Sequence, residues 1–169
     1  MRVFEHLVEI NEPRLPGVQL DRTQLWAGLV LRAEEPMRFV EGLEVARITD
    51  RREVGGCIEL DRELDFGSFR VRDTVLLTAP DESLTRVAAG ETWPASTLRV
   101  RIEEPEPGRL FLRFVYEAEE AGSAAPDEVS RRLRQQAYQE LDLDTVRRIR
   151  ALAEQGALAA VPGTLPGDS

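Results

Sequence analysis

Four side chains stand where they could move a proton or hold a polar group in apolar surroundings: His6, Arg62, Asp73 and Tyr116. The case for two of them is hairpin arithmetic. Gly67-Ser68 reads as a two-residue loop with glycine at its first central position, where a type II′ turn needs it. Phe66 then faces Phe69, Leu64 faces Val71 and Arg62 faces Asp73, all on one face because side chains alternate along a strand. Ile58, Leu60, Val75 and Leu77 share that face, so Arg62 and Asp73 are expected to enter the interior as an opposed ion pair. Either the two satisfy each other, or Arg62 offers donors to a ligand carbonyl or carboxylate while Asp73 orients it. Glu59, Asp61, Glu63, Arg70 and Arg72 fall on the opposite, solvated face.

His6 shares a face with Phe4, Val8 and Ile10 and is expected to point inward. As the only histidine it is the obvious general acid or base near neutral pH, the alternative being a core histidine bonded to backbone. Tyr116, in line with Leu110, Leu112 and Phe114, either presents its hydroxyl at a cavity mouth or packs as a core aromatic. Trp26 and Tyr138 are open to the same pair of readings, pocket entrance or core. Cys57 alternates with acidic residues on an outward face and, with no second histidine to complete a triad, is a poor nucleophile.

Composition removes much else. One Cys and one His cannot build a Cys/His zinc site or an internal disulfide, and no segment has calcium-loop spacing. All 22 basic residues are arginine, which removes Schiff-base, phosphate-loop and lysine-base chemistry. Nothing resembles a dinucleotide or phosphate loop, so no metal and no cofactor is expected. A net charge of -9 argues against nucleic acid as partner, since that affinity rests on clustered cations. With 42% hydrophobic and 31% charged residues, and no apolar run near the ~20 residues a bilayer requires, the chain reads as globular, without membrane insertion. The absence of a signal-peptide pattern makes a cytoplasmic location the expectation.

The elements that must position these residues follow from periodicity. Residues 2–10 alternate as a half-buried strand, which Asn11, Glu12, Pro13 and Pro16 end. Asp21 or Thr23 can cap a helix to about Ala33, with Leu25, Leu29 and Ala33 on one stripe widened by Trp26 and Val30. Pro36 starts a second short helix holding Phe39 and Val40, closed by Gly42. Six strands follow, near 43–51, 56–66, 69–79, 83–90, 96–104 and 109–118, an antiparallel meander with Gly55-Gly56 as one of its turns. After a loop at 121–126, a helix from about Asp127 to Gln155 makes a rod of about 43 Å, long enough to cross the sheet. Its Leu133, Ala137, Leu141, Thr145, Ile149 and Leu152 are expected to face the sheet, leaving no apolar stripe over. Residues 1–155 form one domain; 156–169 read as a flexible tail.

That order resembles the START-like, or SRPBCC, superfamily, which includes the birch-pollen-allergen fold, lipid-transfer START domains and polyketide aromatase/cyclases. Within it the chain resembles the AtaL-like family. The likeness is carried by Phe4-Glu5-His6, Ile10-Asn11, Leu25-Trp26, Leu31-Arg32-Ala33-Glu34, Arg62-Glu63-Leu64, Phe66-Gly67, Val71-Arg72-Asp73, the run Leu110 to Glu117, and Asp144 to Arg150. The resemblance implies an α+β helix-grip fold, a curved seven-stranded antiparallel sheet wrapped around a long C-terminal helix. It also implies a cavity between helix and sheet, which in relatives binds sterols, lipids, plant metabolites or polyketide intermediates.

The first expectation is therefore a protein that binds a small hydrophobic ligand. The expected lining is Leu60, Arg62, Leu64, Val71, Asp73, Leu112, Phe114 and Tyr116 from the sheet, His6 from the first strand, and Leu141, Thr145 and Ile149 from the helix. The second is a cofactor-independent cyclase, dehydratase or isomerase using the same cavity, with His6, Asp73 or Tyr116 moving protons. The third is a structural or partner-binding protein with a closed core. A monomer and a homodimer are both open.

Overall fold

A computed structural model describes residues 2–12, 17–119 and 128–158. Strand β1 (Arg2–Glu9) leads to helix α1 (Arg22–Glu34) and a single 3-10 turn, Pro36–Arg38. Strands β2 (Val45–Val54), β3 (Cys57–Asp65), β4 (Arg70–Thr78), β5 (Glu82–Val87), β6 (Ser96–Glu106) and β7 (Arg109–Ala118) follow, then helix α2 (Glu128–Glu154). All seven strands join one curved antiparallel sheet in the order β1-β7-β6-β5-β4-β3-β2. The expected loop at 121–126, the helix start at Asp127, Pro13 and Pro16, and the tail beyond residue 158 lie outside the described residues.

Local chemistry explains the elements. Asp21 caps α1 in a capping box: its carboxylate accepts from the Gln24 backbone and the Gln24 side chain accepts from the Asp21 backbone. Asn11 brackets the link from β1 to α1, bonding both the N–H and the carbonyl of Leu20. Gly55 and Gly56 both take positive φ, so Val54 pairs with Cys57 across a two-residue turn of the kind that matches strand twist. Gly67 also has positive φ, and the Phe66 N–H bonds the Phe69 carbonyl, closing the expected β3–β4 loop.

Register turns the inner face of the sheet into rungs. One runs Ile48, Arg62, Asp73, Val87, Ser96. The next runs Leu60, Val75, Thr85, Leu98, Tyr116, Phe4. A third runs Ile58, Leu77, Ser83, Val100, Phe114, His6. Leu25, Trp26, Leu29, Val30 and Ala33 of α1 pack with Leu60, Val75, Val100, Leu112, Phe114, Val146 and Ile149 into one core. Gly28 lets the helices close: a Cβ there would lie 2.7 Å from Ile149 Cγ2.

Helix α2 departs from expectation in its first half. Leu133 is 64% exposed and Leu141 57%, with Val129 exposed beside them, so the face turned to the molecule is instead Tyr138, Asp142, Thr145, Val146 and Ile149. Four-residue steps rotate about 40° each around a helix, so a stripe drawn from Leu133 through Ala137 and Leu141 lies to one side of the buried line. Leu141 is therefore not part of the buried lining, and α2 does carry an uncovered apolar strip. The C-terminal half of α2 packs on β1 and α1, tied by Arg150 Nη1 to the Ile10 carbonyl at 2.7 Å and by Arg148 Nη1 to the Arg38 carbonyl at 3.0 Å.

Candidate functional site

Where α2 does not cover it, the inner face stays partly accessible. Val71, Val87, Leu98 and Phe66 are half-buried, while Phe69 and Ile48 are exposed. Phe69 stacks on Phe66 and meets Trp93 edge-on, making an aromatic lip at the β3–β4 end. Beside this apolar surface lie charged groups of two sets.

The first set is the expected pair. Arg62 Nε donates to Asp73 Oδ1 at 2.8 Å and Arg62 Nη2 to Oδ2 at 2.6 Å, while Nη1 donates to the Ala33 carbonyl at 2.9 Å. Both residues are buried. The guanidinium is thus committed to Asp73 and to the end of α1, which is the geometry of mutual satisfaction.

The second set surrounds Asp142, which sequence reasoning missed. The Tyr116 hydroxyl donates to Asp142 Oδ1, and His6 Nδ1 lies 3.4 Å from Asp142 Oδ2. Asp142 is 1% exposed, and burial lifts its carboxyl to about 7, with the Tyr116 bond and nearby Arg32 opposing the rise. Burial, then the carboxylate, holds the Tyr116 hydroxyl well above its usual range, so it stays a donor. Burial also pushes His6 down, favouring the neutral imidazole. Tyr116 stacks on Tyr138 at 4.2 Å between ring centroids, and Phe4 stacks on Tyr138. Tyr138 is thus part of this cluster, whereas Trp26 is core.

Arg32, in the last turn of α1, is close enough to both sets to feel the charges of Tyr116, Asp142, Arg62 and Asp73. Burial, and the like charge of Arg62, push it below its ordinary basicity. Three buried polar atoms have no hydrogen-bond partner among the described residues: Arg32 Nε, His6 Nδ1 and Asp142 Oδ2. The signal for Asp142 was its place four residues after Tyr138 on the helix; for Arg32, its place beside Ala33.

Of the other expected lining residues, Leu60, Leu112, Phe114 and Ile149 belong to the packed core, Leu64 and Thr145 are buried, and Val71 is half-buried on the open part of the sheet. His6 additionally borders a groove of about 550 Å³ between β1 and α2, shared with Leu7, Val8, Leu143, Val146 and Arg150. A second depression of about 500 Å³ crosses β2 to β5 and is lined mainly by charge, including Asp61, Glu63, Arg72 and Arg86. No group of acidic, histidine or cysteine side chains among the described residues could hold a metal ion. No helix among them is long and apolar enough to cross a membrane.

A seven-stranded antiparallel sheet gripping a long C-terminal helix, with two helical elements between its first and second strands, defines the helix-grip fold. The AtaL family model, acetylaranotin biosynthesis cluster protein L, matches residues 5–156, and the chain belongs to that family. No curated protein matches the sequence. Solved structures share the fold at low identity. The di-domain aromatase/cyclase StfQ of the steffimycin biosynthetic pathway is 12% identical over 92% of this chain, with a TM-score of 0.65; the chain spans about half of it, 52%. A START superfamily protein from Mycobacterium smegmatis is 13% identical, covering 90% of this chain and 99% of its own, with a TM-score of 0.58. The Zhui aromatase/cyclase from Streptomyces sp. R1128 is 15% identical, covering 90% and 93%, with a TM-score of 0.55.

Proposed function

We propose that this protein binds a small, largely apolar molecule with one polar end, between the open part of the inner sheet face and the helices. The observation that carries the reading is the conjunction of accessible apolar inner-face residues with buried polar atoms that make no hydrogen bond: Arg32 Nε, and His6 Nδ1 and Asp142 Oδ2, which face each other at 3.4 Å. Covering Val71, Val87, Leu98 and Phe66 with an apolar body stabilises by roughly 25 cal/mol per Å² removed from water. Buried polar groups without partners are costly, and a ligand oxygen that meets one relieves that cost. Family membership and the aromatase/cyclase neighbours support the same reading.

A second reading follows from Asp142. A carboxyl near 7 beside a neutral imidazole and a tyrosine donor suits proton transfer near neutral pH, as cyclisation, dehydration or isomerisation of a carbonyl compound would need. This moves the acid–base role from Asp73, whose oxygens are taken by Arg62, to Asp142, with Tyr116 and His6 kept.

Native mass spectrometry of freshly purified protein, set against its denatured mass and followed by organic extraction, tests the binding reading. A stoichiometric apolar adduct is expected. Protein that stays bare, and that takes up none of a panel of apolar acids, alcohols and ketones, rules it out. Turnover that is lost in Asp142→Asn while binding persists would select the enzyme over the carrier.

A further inference from the structure

We propose that Arg32 is the docking group for an anionic oxygen, a carboxylate or an enolate, at the polar end of the bound molecule. The proposal rests on the binding reading and specifies the polar half of its ligand.

The other arginine of this region, Arg62, is fully engaged. Arg62 spends its donors on both oxygens of Asp73 and on the Ala33 carbonyl. Arg32, one residue before Ala33, has no such arrangement: its Nε is sealed from solvent without a partner. Its place in the last turn of α1 lets the helix C-terminus offset part of the charge, but no acceptor meets Nε. A guanidinium is a planar fork that matches a carboxylate or an enolate oxygen in geometry as well as charge.

Charge accounting points to an anion. Arg62 and Asp73 cancel, His6 and Tyr116 favour their neutral forms, and Asp142 is held partly protonated by burial. Arg32 is then the charge left over in this interior, and an anion neutralises it where a neutral carbonyl does not. Placement agrees. Asp73 on β4 and Tyr116 on β7 lie three strands apart, roughly 14 Å across a flat sheet, and Arg32 is near enough to both to interact with each electrostatically.

The test is equilibrium dialysis of two probe pairs that differ only in the polar end, 2-naphthoate against 2-naphthylmethanol and decanoate against decan-1-ol. Wild type, Arg32→Met and Arg32→Gln are compared, with thermal unfolding of each. Wild type is expected to prefer the acid by about tenfold or more, and both variants to lose that preference while retaining the alcohol. Arg32→Met is expected to unfold no lower than wild type, because it removes a half-buried charge, with its Nε sealed from water, without breaking a hydrogen bond. Equal binding of acid and alcohol by wild type, or a preference that survives in both variants, overturns the proposal and leaves the binding reading intact. Loss of the fold in both variants assigns Arg32 to the scaffold and overturns it as well. If wild type binds neither pair, the binding reading falls and this proposal with it.

Discussion

Tyr116 on β7 and Asp142 on α2 are joined by a hydrogen bond that runs from the phenol to Oδ1, leaving Oδ2 buried and facing His6 at 3.4 Å. This contact connects the sheet to the long helix at the point where α2 passes from its exposed first half to its buried second half. A carboxyl enclosed there is a titrating group inside the molecule, and its surroundings are Tyr116, His6, Arg32 and the stacked Tyr138.

The carboxyl makes stability depend on pH. With a folded value near 7 against an ordinary 3.8, the folded chain keeps a proton between about pH 4 and 7 that the unfolded chain releases. Its contribution is fully present below about pH 4 and is lost as pH rises through 7. Asp142→Asn keeps the acceptor for Tyr116 but cannot ionise, so the variant should gain on wild type between pH 4 and 8, by on the order of 4 kcal/mol. The depressed His6 acts in the opposite direction below about 6.5, and because it faces Asp142 Oδ2 the comparison is read above that pH, where His6 is neutral in both proteins. Urea unfolding at several pH values measures it; parallel curves for the two proteins would refute the assignment.

The Arg62–Asp73 pair should behave as a unit. Asp73→Ala leaves a buried guanidinium with only the Ala33 carbonyl and should cost about 3–5 kcal/mol. Arg62→Met with Asp73→Leu removes both charges together and should restore most of that loss. Chemical denaturation of Arg62→Met, Asp73→Leu and the double variant supplies the cycle, and simple additivity would contradict a closed pair.

At the crossing of α1 and α2, Gly28→Ala should destabilise by about 1–3 kcal/mol even though alanine favours helix, because its Cβ would overlap fully buried Ile149. In an Ile149→Ala background, where the overlapping atoms are gone, the same change should stabilise by about 1 kcal/mol. Thermal unfolding of the four proteins decides it.

Tyr116→Phe removes the donor that holds Asp142 Oδ1 and should push that carboxyl above 7. Carboxyl carbon NMR of Asp142 reads the value, and an unchanged midpoint would show that the hydrogen bond does not help to set it.

What the residues determined by themselves was local: alternation and the Gly67-Ser68 turn place Arg62 opposite Asp73, because a two-residue loop leaves one register available. The order of elements, the cap at Asp21 and the seven strands are local in the same sense. Tertiary structure alone decided which polar groups meet. Asp142 reaches Tyr116 across 26 residues, and Arg32 on α1 comes near charged groups of β3, β4, β7 and α2 only through the packing of these elements. It also decided that Leu133 and Leu141 stay outside. Helical periodicity orders residues around an axis but does not say which side faces the sheet, and that choice belongs to packing between elements far apart in the chain.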